Sequence, residues 1–292
     1  MASRRFHSLF DMDNGPNRVD VVLKSQDGLL FGAHQLMLSE ASVLFRTTTL
    51  STLLPNGEAL EPSLLPIDAD SRVVALALSI IYGKPFLSQS FDDPRKVDDL
   101  LTFCEQWSMR GVVNIIRCSL QRPALIRLHP MWLYRTSLHH GWPEVADAVA
   151  LECLNYDLRL PESARLFTPI PLADFLPLMD LARRRVDEFR KRLSNLDVFF
   201  ATQVPFPCHY CEQDCDDRTW LTLRTRFFEE FEACPGRDGE NKILIYMDEW
   251  PEWEAYLSAR HCDNGPLFEP MSTRQEIIAA LADLPENLIH KS

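Results

Sequence analysis

The chain has 292 residues, 46% of them hydrophobic, and a formal net charge of −12 at pH 7. That much apolar material can fill a large core shared between two units, while the acidic balance argues against a partner gripped by its phosphate backbone, which takes clustered Lys and Arg. The most apolar stretch, Val73 to Tyr82, falls well short of the ~20 residues of a membrane span, so neither nucleic acid nor a membrane is expected as a partner.

The first ten residues, MASRRFHSLF, lack the apolar run of a secretory leader. The 8 cysteines are therefore expected in a reducing, intracellular setting, cytoplasmic or nuclear, as free thiols or metal ligands and not as a disulfide framework. Val19, Val21 and Leu23 alternate with Asp20, Val22 and Lys24, the period of a strand. Asp27-Gly28 reverses the chain, because glycine accepts φ > 0, and Leu29, Phe31 and Ala33 form the second arm of a hairpin. From His34 the period becomes helical, with Ser39 as the N-cap of a following helix whose face is Ala41, Leu44 and Phe45.

Asp20-Val21-Val22-Leu23, Phe31-x-x-His34, Leu38-Ser39 and Ala41-Ser42-x-x-Phe45 together resemble the start of a BTB/POZ domain. The resemblance implies an α+β fold over residues 17–120, a small mixed sheet flanked by helices. Asp20, His34, Gln35 and Phe45 occupy its signature positions. It also implies protein–protein interaction: members commonly dimerise, and some bind a cullin as substrate adaptors of a ubiquitin ligase. Gln35 stands where many members place Lys or Arg, a residue that in dimers lies near an interface acid. Cullin-binding members often carry a hydrophobic-x-Glu element in the loop before the fourth helix, and the nearest match here is Phe91-Asp92-Asp93.

Further along, Leu64 to Asp68 reads as a short strand with Pro66 on a sheet edge. Asp70 or Ser71 caps a helix over 71–82 that is apolar on most sides and is stopped by Gly83 and Pro85. Asp93-Pro94 opens the next helix as N-cap and N1, with Val97, Leu100, Leu101, Cys104 and Trp107 on its face. Ser108 starts another.

Residues 121–292 are expected to be mainly α-helical. Helices are placed at 130–139 and from Pro143, with a loop marked by Pro161 and by Pro169 and Pro171. A long helix runs from about Leu172 to Leu193, regular from Pro177 onward. On it, Arg183-Arg184-Arg185 and Arg190-Lys191-Arg192 are expected to form a solvated outer face. An aromatic helix spans Arg218 to Ala233, Lys242 to Met247 reads as a strand, and Glu252 to Arg260 as a short helix. Ser272-x-x-Gln275 is a capping box for the last helix. The tryptophans of Asp248-Glu249-Trp250-Pro251-Glu252-Trp253 should pack on the aromatic helix while the acids face water. The order of paired cysteines, aromatic helix and terminal helix resembles that of BTB proteins of filamentous and mushroom-forming fungi.

One constellation could carry chemistry. Cys208-x-x-Cys211 has zinc-knuckle spacing, and His261 and Cys262 could complete a tetrahedral site in the segment 205–262, with Cys215 and His209 as further donors. One structural zinc is the reading this suggests; free thiols are the alternative. A redox role for the two thiols would need a strand-to-helix junction that lowers a thiol pKa, and the acidic flanks offer none. Gly-x-Ser-x-Gly and glycine-rich phosphate loops are absent from the sequence. His34 is expected to be a core histidine bonded to backbone, and Asp20 to need backbone N–H groups or a second subunit as partner. The reading is a non-enzymatic interaction module or scaffold that self-associates. A cullin-ligase substrate adaptor, whose C-terminal region selects substrate, and a thiol-dependent enzyme are the alternatives.

Overall fold

A computed structural model describes residues 5–11, 19–49, 62–85, 91–157, 160–167, 170–195, 218–259 and 269–289. The chain divides into two compact units, Met1–Leu125 and Ile126–Ser292.

In the first unit, β1 (Val21–Lys24) lies at the centre of a sheet of order β2-β1-β3. It pairs antiparallel with β2 (Leu30–Ala33), Val21 opposite Ala33, and parallel with β3 (Ser63–Pro66), Val21 opposite Ser63. Val21, Val22 and Leu23 are all buried, so both faces of this central strand are covered. The hairpin turn is held by Ser25, whose Oγ bonds both backbone groups of Leu29. Gly28 takes φ +84°, which L side chains disfavour. Pro66 sits on the edge strand, where no ladder bond needs its missing N–H.

Residues 5–11 add an arm along the outer side of β2. Leu30 N–H donates to Arg5 O at 3.0 Å, His7 N–H to Leu30 O at 2.8 Å, and Gly32 N–H to Phe10 O at 2.7 Å. The arm passes so close to Gly32 that a Cβ there would overlap the Asp11 carbonyl. Phe10 is fully buried, with the Lys84 ammonium 4.3 Å from its ring centre.

Helices α1 (Gln35–Ala41) and α2 (Val43–Thr49) follow β2. The break lies at Ser42, not Ser39: Ser42 has extended backbone, and its Oγ accepts from Phe45 N–H at 3.1 Å. Ser39 lies inside α1, and Ala41 closes that helix instead of sharing a face with Phe45. Asp70 caps α3 (Ser71–Ile81), accepting from Arg72 N–H at 2.8 Å. Asp93 caps α4 (Pro94–Gln106) in the same way. Ser108 does not start α5 (Arg110–Leu120). It closes α4 at φ +52°, with Met109 N–H bonded back to Cys104 O, the geometry in which helices usually place glycine.

The second unit follows α6 (Pro123–Leu128), which spans the division. α7 (Pro130–His139) packs on α8 (Pro143–Cys153), the turn between them made by Gly141 at φ +67°. α9 (Pro161–Phe167) starts where a loop was expected, Pro161 serving as a first helical residue. α10 (Leu172–Ser194) begins ahead of Pro177 and runs through it, its first turn closed by Phe175 N–H to Pro171 O at 3.0 Å.

α11 (Arg218–Ala233), α12 (Arg237–Tyr246) and α13 (Pro251–Ser258) complete the core with α14 (Pro270–Ala282). Its centre is aromatic: Phe189, Trp220, Phe227, Phe231, Trp250, Trp253 and Tyr256. Trp250 packs inward against Phe227 of α11 and Trp253 against Tyr256, while Asp248 and Glu249 are exposed. Residues 242–247 are helix and a short 3-10 turn, not a strand. Gly239, Ile243 and Met247 are buried at four-residue steps, whereas Ile245 and Tyr246 are exposed, so helical burial overrides the β-propensity of KILIYM. α14 is capped by the Glu269 carboxylate on Ser272 N–H and opens at Pro270, ahead of the Ser272-x-x-Gln275 box.

The largest departure concerns Arg185. Instead of joining a solvated face it is 1% exposed. Its Nε donates to Pro235 O and its Nη1 to Pro285 O, both at 2.6 Å, and Nη2 pairs with Glu240. Burial weighs against both charges, pulling the guanidinium down and the Glu240 carboxyl up from their ordinary ranges. The neighbouring basic residues are engaged at the surface: Arg184 with Asp180 and Asn287 O, and Arg192 with Glu188 and Asp283. Removing one member of a buried pair strands the other, at about 3–5 kcal/mol. Arg185→Ala is therefore expected to lower stability by that order, and Arg185→Lys to recover little because an ammonium lacks the guanidinium fork. Urea denaturation followed by far-UV circular dichroism checks both.

Candidate interaction surface

The signature positions meet at the start of α1. Tyr82, at the end of α3, places its hydroxyl 2.7 Å from His34 N and 3.0 Å from His34 Nδ1. The hydroxyl accepts the backbone N–H and is bonded to the ring nitrogen as well, so one side chain holds both groups of His34. Burial pushes the Tyr82 hydroxyl up to about 12, so it remains a donor at neutral pH. His34 is half-buried, and its ring bonds the Tyr82 side chain. Asp20 is exposed and accepts Gln35 N–H at 2.7 Å. It thereby satisfies one donor that His34, with no side-chain cap, leaves open at the helix N-terminus. Of the two partners open to Asp20, backbone N–H is the one in place.

Phe45 anchors the helix pair from below. It is fully buried and stacks on Trp107, ring centres 4.2 Å apart at 14°. Ser42 Oγ bonds Trp107 O as well, so one hydroxyl both caps α2 and ties it to the end of α4. With that side pinned, the outer side of the pair carries Leu36, 69% exposed, Val43, 59%, and Leu44, 40%. These are three apolar side chains exposed on two neighbouring helices. The sequence pattern placed Leu44 on one face with Phe45, because apolar residues at helical spacing read as core; in the structure Phe45 is buried and Leu44 exposed.

Other sequence-derived positions lie elsewhere. Phe91 is buried, Asp92 pairs with Arg122 at 3.0 Å, and Asp93 is the cap of α4. Cys208, Cys211, His261 and Cys262, together with His209 and Cys215, fall outside the described residues. Among the described cysteines, Cys104, Cys153 and Cys234 are buried and Cys118 is exposed. Burial raises the Cys104 thiol to about 12 and also raises those of Cys153 and Cys234, which keeps all three protonated core residues. No described helix is long and apolar enough to cross a membrane.

Sheet order and helix order define an α+β domain. Residues 7–123 match the family model of the BTB/POZ domain, and this part of the chain is a BTB/POZ domain, a protein-interaction fold. The chain matches none of the curated proteins compared with it.

Tyr82→Phe keeps the shape of the ring but leaves His34 N–H and Nδ1 without their partner. A half-buried group left unsatisfied costs about 1–3 kcal/mol, so this substitution is expected to reduce the denaturation midpoint measurably. An unchanged midpoint would mean that water replaces the hydroxyl at no cost.

Proposed function

We propose that the chain is a non-enzymatic protein–protein interaction module that self-associates through the outer face of α1 and α2. The observation that carries this reading is the exposure of Leu36, Val43 and Leu44 on helices whose opposite side is locked to Trp107. A symmetric dimer applies the same patch twice, so an apolar patch is complementary to itself without any matching of charge.

Each fully buried Leu or Val contributes about 1.5–3 kcal/mol. Leu36→Asp combined with Val43→Asp is thus expected to weaken self-association at least a hundredfold while leaving the fold intact. Size-exclusion chromatography with light scattering on the full chain reads the outcome. A wild-type chain that stays monomeric at micromolar concentration, or a double variant that associates as well as wild type, would overturn the proposal.

A further inference from the structure

The second unit contains a cleft that the self-association surface does not explain. Two of its cavities, of about 710 and 330 Å³, share Pro130 and Tyr156 as lining residues and so lie side by side as the two ends of one cleft region. The two ends differ in chemistry. The larger is polar, with Glu152, Asp238, Glu240 and Glu286 on its wall against Arg127 and Arg237; Arg185 stands behind Glu240. The smaller is walled by Leu128, Trp132 and Leu166, holds Arg135 and Arg165, and has no carboxylate in its lining. Leu128 is 62% and Leu166 44% exposed.

We infer that this cleft binds a linear peptide segment of a partner protein. The segment presents an apolar side chain and a carboxylate to the Trp132–Arg165 end and a Lys or Arg to the Glu152–Glu286 end. The polarity of the cleft selects this class. Nucleic acid would bring phosphates against four carboxylates. A lipid surface would find two exposed leucines beside an acidic wall. A peptide can satisfy an apolar step, a cation site and an anion site in one direction along its length, and only one direction fits. The floor is prearranged, which lowers the cost of binding: Asn155 donates to Glu152 at 2.8 Å and accepts Asp238 N–H at 2.9 Å, and Glu240 is fixed by Arg185. This inference adds a second site to the proposed module and does not depend on self-association.

The probe is a displayed library of random twelve-residue peptides selected on the immobilised full chain, followed by fluorescence anisotropy of one enriched peptide. The expected selection is an apolar residue next to Asp or Glu, with Lys or Arg at a fixed distance along the chain. Arg165 and Glu286 are exposed, so their substitution leaves the fold intact. Arg165→Glu is expected to weaken the peptide at least tenfold and to be rescued when the peptide's acid becomes Lys. Glu286→Lys should do the same, with rescue by an acid at the basic position. A library with no enriched pattern, or an enriched peptide that binds both variants as tightly as wild type, overturns the inference. Peptide binding retained by the Leu36→Asp, Val43→Asp chain, or peptide failure in a chain that still self-associates, separates this site from the α1–α2 surface.

Discussion

The second unit depends on one buried charge. Pro235 lies two residues past the end of α11 and Pro285 three past the end of α14, in segments whose carbonyls have no helical donor. Arg185 bonds both carbonyls from the middle of α10 and spends its remaining nitrogen on Glu240 of α12. Four helices are thus registered by one planar group, a task that suits arginine because its donors point in fixed directions. The glycines around this knot serve the same close packing. A Cβ at Gly236 would overlap Asn155 and the Leu151 carbonyl, and one at Gly239 would overlap the Cys234 carbonyl. A buried ion pair is poor evidence for high stability; its role here is to select one arrangement of helix ends.

The first unit solves a different problem. Two seven-residue helices, α1 and α2, are too short to be stable alone, yet they must hold apolar side chains out in water. Polar contacts at both ends of the pair make this possible. Asp20 and Tyr82 secure the entry to α1, and Ser42 and Phe45 secure the joint to α2 against Trp107. The signature residues Asp20, His34 and Phe45 thus hold the two helices in place.

That distinction also sets what could be read from the sequence. Local chemistry was legible: the Asp27-Gly28 turn, the Asp93-Pro94 start of α4, the Gly141 stop and both limits of α11 all rest on residues within one turn of the feature. What was not legible depends on distant partners. Arg185 cannot be told from Arg183 and Arg184 until Pro235, Glu240 and Pro285 are brought to it, across separations of 50 to 100 residues. The segment KILIYM has strand propensity, and only the buried Gly239–Ile243–Met247 row makes it a helix. The arm at residues 5–11 carries no period of its own because its register comes from β2. Ser39 and Ser42 both suit a cap, and the Trp107 carbonyl decides between them.

Charge links the two surfaces to the composition. At −12 the chain repels acidic macromolecules at long range, but this field is screened within about 8–10 Å at physiological salt. Recognition at contact is therefore left to local features. On the α1–α2 face those features are apolar, so association there is expected to change little with ionic strength. In the proposed peptide site they are charged at both ends: the acidic wall of Asp238 and Glu286 would receive the basic residue and the Trp132–Leu166 end would test the fit, both at contact range. Net charge in this chain thus sets the field through which any partner approaches, without supplying the contact that would hold it.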